Sequence, residues 1–121
     1  MTGPVITTLL SPNPAQGSQT ADGSEDTLAS STSLGQGGTF QARINLSNMA
    51  DGDIVEIRYY DQANSSDVEG QAFYASFANK QTDVLPPLPA WPATVAFKVT
   101  LKQTAGTDRA FQWSVLNLNG T

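Results

Sequence analysis

The sequence predicts an all-β protein: a single antiparallel β-sandwich or jelly roll with an extended N-terminal arm. Three observations predict this fold class. From residue 39 onward, apolar and polar residues alternate over several short segments, which is typical of strands with one buried face. Turn-forming residues separate these segments, as they do in sandwiches. No segment shows the periodicity of an amphipathic helix.

The N-terminal 38 residues differ in composition from the rest. They hold six of the ten glycines, three of the seven prolines and no lysine or arginine. We expect residues 1–38 to form an extended arm and residues 39–121 to form the β-sandwich domain. Within the arm, Val5–Leu10 reads "VITTLL". This β-prone patch is either a first strand on the domain or a docking strand that pairs with another subunit or partner. In the second case the contact residues are Val5, Ile6, Leu9 and Leu10.

Alternation assigns the strands of the domain and their buried faces. "TFQARINLS" begins at Thr39, and the Asp51-Gly52 turn separates it from "IVEIRYYD". "AFYASFAN" supplies a further strand, and "VAFKVTLKQTAGTDRAFQWSVLNL" supplies two more. The inward rows of these segments predict a core made of Phe40, Ile44, Leu46, Val55, Ile57, Phe73, Phe77, Val95, Phe97, Val99, Leu101, Phe111, Trp113 and Val115.

The segment "VLPPLPAWPA" at Val84–Ala93 is rich in proline. Proline lacks the N–H that a central strand donates to its neighbours, so we expect a stiff crossover or an edge strand here. Trp91 lies between prolines, where an exposed ring is expected. That ring could contact a sugar or another subunit.

The last two predicted strands are joined by a polar tip, Lys102–Arg109. We expect a solvated hairpin turn in which Gly106 supplies a positive φ. Lys102 and Arg109 flank the turn and could bind an anion, but the phosphate-loop pattern is absent and no helix follows.

Composition argues against several kinds of chemistry. The chain has no cysteine and no histidine, which removes thiolate nucleophiles, the commonest general base and the commonest zinc ligand. Asp51, Asp53 and Glu56 are close in sequence but lack the spacing of a calcium loop. Two acidic residues on one face of a sheet could act as the catalytic pair of a glycoside hydrolase, but the sequence does not identify such a pair. We therefore expect no enzyme activity, no cofactor and no bound metal.

Charge and hydropathy limit the partners. Six lysines and arginines stand against eleven acids, for a net charge of −5. Nucleic-acid binding requires clustered basic residues, so we do not expect it. No apolar run approaches the roughly 20 residues that span a bilayer, and the N-terminus lacks the basic region of a signal peptide. We expect a soluble protein without a membrane partner.

Two segments together resemble a known class of protein. "GTFQARINLSNMADGDIVEIRYYD" and "FKVTLKQTAGTDRAFQWSVLNL" are similar to small β-rich head-associated proteins of tailed bacteriophages, several of which are capsid decoration, or cement, proteins. The resemblance covers about residues 38–118. It implies a virion structural protein that binds the major capsid protein and lies in many copies on the capsid surface. It implies no catalytic residues.

Two further expectations concern partners. Val5–Leu10 and the proline-rich segment offer two contact surfaces, and icosahedral lattices present threefold positions, so we expect a trimer on the lattice. The alternative function is a carbohydrate-binding β-sandwich module of a phage tail or adhesin. Its sugar platform would use the aromatic residues Tyr59, Tyr60, Tyr74, Trp91 and Trp113.

Overall fold

The computed structural model of the protein describes residues 15–30 and 38–118, which form eight β-strands and no helix. The all-β class is therefore confirmed. The strands are β1 (Ala15–Thr20), β2 (Asp26–Ser30), β3 (Gly38–Ile44), β4 (Ile54–Asp61), β5 (Gly70–Ala78), β6 (Ala90–Ala93), β7 (Phe97–Ala105) and β8 (Ala110–Asn117). Residues 15–30 and 38–118 contain no helix long and apolar enough to cross a membrane.

The strands form two four-stranded antiparallel sheets. The first sheet has the order β1-β8-β3-β6, and the second has the order β2-β7-β4-β5. Across both sheets, β1 pairs with β8, β2 with β7, β3 with β6, and β4 with β5. This arrangement, a long hairpin rolled into two sheets, is that of the eight-stranded jelly roll.

The predicted core is largely confirmed, because inward alternation places most of its residues between the two sheets. Those that are buried are Phe40, Ile44, Leu46, Val55, Ile57, Phe97, Val99, Leu101, Phe111 and Val115. Phe73, Phe77 and Trp113 pack against this cluster but stay partly exposed. Val95 was predicted to be buried and is 38% exposed. It precedes the first residue of β7, so the alternation does not yet apply to it.

The prediction of an extended arm is wrong for residues 15–30, which belong to the sandwich. β1 pairs with β8 along its whole length, and β2 pairs with β7. A small residue lets the Trp113 ring lie close to β1: a Cβ on Gly17 would be 3.2 Å from a ring carbon of Trp113, which is tighter than an ordinary contact. Leu28 and Ala29 of β2 are buried in the core. Residues 1–14, with the patch Val5–Leu10, and residues 31–37 lie outside the described residues.

The proline-rich segment, predicted to be a stiff crossover or an edge strand, contains both: residues 84–89 belong to the connection from the second sheet to the first, and β6 forms an edge. β6 is four residues long, lies at the end of the first sheet and pairs only with β3 among the described strands. Its partner residues on β3 end at Gln41. Beyond that point the Tyr59 hydroxyl, which comes from the second sheet, accepts from the Ala42 N–H (3.1 Å) and donates to the Pro89 carbonyl (2.8 Å). One buried hydroxyl thus takes the place of a ladder hydrogen bond.

Candidate binding surface

The tip Lys102–Arg109 is not a hairpin turn, although Gly106 has the expected positive φ of 89°. β7 lies in the second sheet and β8 in the first, so the tip crosses between the sheets. The neighbours of β7 are β2 and β4, which leaves no edge of β7 for β8 to pair with. The tip is therefore a corner of the sandwich.

Buried polar groups fix this corner. The Arg109 Nε donates to Asp53 Oδ2 at 2.9 Å, and the Asp53 side chain is only 2% exposed. The Ala50 N–H, which donates to the same carboxylate, and Arg109 hold the pKa of Asp53 below its ordinary value of 3.8 despite burial. The buried Gln103 donates to the carbonyls of Ala105 and Thr107. Of the two cations expected to flank an anion, Arg109 is therefore already paired with a carboxylate.

The three acids near the Asp51-Gly52 turn point to different places. Asp51 accepts from the Lys80 N–H at 3.2 Å, and Asp53 lies buried against Arg109. Glu56 pairs with Arg58 at 2.9 Å on the outer face of the second sheet. No group of three acidic side chains able to hold a metal ion occurs among residues 15–30 and 38–118.

The aromatic residues that a sugar platform would need are dispersed over the fold. Tyr59 is buried, and Trp113 packs against the core. Trp91, expected to be exposed, is half-buried: its ring meets Tyr59 edge-on at 6.4 Å and its Nε1 donates to Asp61 Oδ2 at 3.0 Å. The reason is that Trp91 pairs with Phe40 on the inward row of the first sheet. Tyr60 lies on the outer face of the second sheet, next to Glu25.

The outer face of the second sheet is charged, and its charges engage one another. The Arg58 guanidinium lies 4.9 Å from the Tyr74 ring centre and also donates to Gln71 at 2.9 Å. Lys98 pairs with Glu69 at 3.0 Å and lies over the ring of Tyr60.

A second group of contacts extends this face toward β2. Glu25 accepts from the Thr100 hydroxyl at 2.6 Å and from the Tyr60 hydroxyl. These two hydrogen bonds lower the pKa of Glu25, with Thr100 the larger cause. Glu56, Arg58 and Lys98 are therefore already in ion pairs, although Lys102 of β7 has none among the described residues. A partner would have to break some of these contacts to bind here.

The outer face of the first sheet is nearly free of charge. The four strands of this sheet contain one charged residue, Arg43, whereas the strands of the second sheet contain six. Arg43 is exposed and has no ion pair among the described residues. The side chains that share this face carry amide, hydroxyl or apolar groups: Gln16, Ser18, Gln41, Gln112, Ser114 and Leu116.

Two adjoining shallow grooves lie on this face and meet at Arg43 and Leu85. Leu85 comes from the proline-rich segment and is 47% exposed. Gln41 and Pro86 line the first groove, and Gln112 lines the second. We call Arg43, Leu85 and the amide-bearing side chains around them the amide face. The sequence did not single it out, since an isolated arginine on a strand reads as an ordinary solvent-facing residue.

None of the protein-family models, curated proteins or solved structures compared with this chain matches it.

Proposed function

We propose that the protein is a capsid decoration protein of a tailed bacteriophage, which binds the major capsid protein through the amide face. The resemblance of residues 38–118 to head-associated phage proteins supports this role. The jelly roll is compatible with it, since viral capsid domains are among the proteins that use this fold. The same fold also serves lectins and enzymes, so the argument rests on the surface.

The charge contrast between the two outer faces carries the proposal. Cores of protein interfaces are depleted of charged side chains and enriched in arginine. The first sheet has this composition, with Arg43 as its lone charge beside the exposed Leu85. Burial of amides and hydroxyls against a partner that supplies hydrogen bonds costs far less than burial of the ion pairs on the second sheet.

The mechanism in this proposal is mechanical and involves no catalysis. Each copy lies flat on the capsid surface, with Arg43 directed at a carboxylate or carbonyl group of the coat. Val5–Leu10 supplies a second contact by strand addition, and trimers match the threefold lattice positions. Repetition of a modest interface over the whole shell then raises the resistance of the capsid to internal pressure.

A pair of charge reversals tests the amide face. Arg43→Glu is expected to abolish co-sedimentation of the full chain with empty heads of the phage that encodes it, because it places an unpaired acid at the centre of the contact. Lys80→Glu makes the same change of charge at an exposed loop residue away from this face, and we expect it to bind like the wild type. Equal binding by the two variants would overturn the choice of surface, and no binding by the wild type would overturn the function.

The carbohydrate-binding alternative has one observation in its favour. Arg43 and Gln112 line the grooves with planar guanidinium and amide groups, which can form paired hydrogen bonds with sugar hydroxyls, whereas the Gln41 Nε2 already donates to the Leu88 carbonyl at 2.9 Å. Sugar binding on a glycan array, lost in Arg43→Glu and without binding to heads, would favour this alternative.

A further inference from the structure

The four edge strands of the sandwich differ in how well they resist pairing with another chain. An exposed edge carries unpaired N–H and C=O groups, and natural proteins protect it with short strands, proline, charge or a bulge. β6 has four residues and contains Pro92. β2 has five, starts at Asp26 and has an irregular register after Thr27. β1 has six and directly follows Pro14.

β5 has one irregularity, an extra residue at Ala72 opposite the Tyr59–Tyr60 step of β4, but it has none of these protections from Phe73 to Ala78. It is nine residues long, "GQAFYASFA", without a charged residue or a proline. It pairs with β4 on one side. On its other side, the described residues supply one hydrogen bond, from the Gln81 side chain to the Ala78 carbonyl. Phe73 and Phe77, on its inward row, pack against the core but stay partly exposed.

We propose that β5 pairs with β5 of a second copy of this chain, antiparallel about a twofold axis at Ala75. This inference does not depend on the proposed function. A twofold interface must be complementary to itself. Phe73, Ala75 and Phe77 pair with Tyr59, Ile57 and Val55, the buried row of β4, and therefore point inward.

The proposed register keeps every side chain on its own face. Phe73 of one copy then lies opposite Phe77 of the other, and the small Ala75 lies opposite itself. On the outer face, the 44% exposed Tyr74 lies opposite Ser76. No like charges meet on the paired strands, although each copy carries a net charge of −5. The β2-β7-β4-β5 sheets of the two copies then form one continuous eight-stranded sheet, and the partly exposed phenylalanine rings become more buried.

A twofold pair does not itself make a trimer. Trimers need head-to-tail contacts, which must use other surfaces than β5. The β5 contact would therefore join two trimers across a twofold axis, or hold a dimer in solution.

Cysteine cross-linking tests the register in the full chain, whose lack of cysteine gives a clean background. Ala75→Cys places two thiols across the axis, at the separation of directly opposed strand residues. Thr104→Cys, on an exposed residue of β7, measures cross-linking by random collision. Under mild oxidation we expect Ala75→Cys to form covalent dimers at least about tenfold faster, because the pair is held at a high effective concentration. Ser76→Cys, whose thiols are diagonal in this register, should be slower than Ala75→Cys.

Sedimentation velocity supplies the second measurement. We expect a concentration-dependent dimer for the wild type and a folded monomer for Ala75→Lys, which points a charge inward at the edge. Cross-linking of Ala75→Cys at the rate of Thr104→Cys would overturn the proposal, even if Ala75→Lys failed to fold. Association that is lost on deletion of residues 2–10, without fast cross-linking, would also overturn it and would assign the edge to Val5–Leu10. If the wild type is a monomer and still binds phage heads, this inference is wrong and the proposed function is unaffected.

Discussion

The substitution Tyr59→Phe removes one oxygen atom from between the two sheets and keeps the aromatic ring. The ring packs against Phe73 and Phe97, both with centres 5.1 Å away, and these contacts persist in the variant. The hydroxyl bridges the Ala42 N–H and the Pro89 carbonyl. The change therefore isolates the energetic contribution of the hydroxyl bridge from that of the ring.

The expected loss of stability follows from how deeply the two groups that lose their hydrogen-bond partner are buried. Ala42 is 1% exposed, so its N–H cannot reach water, and a buried donor left without an acceptor costs about 1–3 kcal/mol. The Pro89 carbonyl belongs to a half-buried residue and can be hydrated. We expect a loss of about 2 kcal/mol in the free energy of unfolding, with most of it due to Ala42. For a domain of this size this corresponds to a fall in Tm of about 6–12 °C.

Urea unfolding of the variant and the wild type measures the effect, and Tyr74→Phe is the matched control. The Tyr74 hydroxyl donates to Glu56 at 3.0 Å, but the residue is 44% exposed and the carboxylate keeps Arg58 as its partner. We expect this control to lose less than about 0.5 kcal/mol. In hydrogen exchange, the Ala42 amide should lose protection in Tyr59→Phe and retain it in Tyr74→Phe.

The pH dependence supplies an independent check. Burial raises the pKa of Tyr59 above its ordinary value of 10.0. The stability linked to its neutral form is therefore complete below pH 10 and is lost as the pH rises through the raised pKa. Tyr59→Phe lacks this dependence. A variant within about 0.5 kcal/mol of the wild type, with Ala42 still protected, would refute the hydroxyl bridge as a stabilising contact.

Two further predictions concern the corner of the sandwich. Gly106→Ala should destabilise the fold by at least about 2 kcal/mol more than Gly52→Ala. Both glycines have a positive φ, but only at Gly106 would a Cβ collide with Asp53, at 1.9 Å from its Oδ1. Equal losses of stability in urea unfolding would contradict this contact. Asp53→Asn should lower stability most above pH 3.8, since a carboxylate with a lowered pKa contributes stability there and loses it as the pH falls through that pKa. Urea titrations from pH 2 to 7 that show a constant difference from the wild type would refute the ionic role of Asp53.

Alternation along the chain predicted the strands of residues 39–118 because the requirement to bury one face acts within each strand. The prolines of Val84–Ala93 predicted a crossover or an edge strand there, and the glycine in the polar tip predicted a positive φ at Gly106. β1 escaped prediction because its inward row, Ala15, Gly17 and Gln19, consists of two small residues and one polar residue and has no apolar signal of its own. The Trp113 ring across the pair explains why position 17 is a glycine.

Local sequence alone determined that this chain is an all-β sandwich with a cysteine-free and histidine-free acidic composition, since each strand carries its own face pattern. The tertiary structure decided which strands pair, and this turned an expected hairpin between β7 and β8 into a crossover between sheets. It also decided that Arg109 forms an ion pair with Asp53, whereas Arg43 lies among amide side chains and has no ion pair among the described residues. The physical reason is that strand pairing and charge compensation depend on residues distant in the chain, which no local pattern encodes.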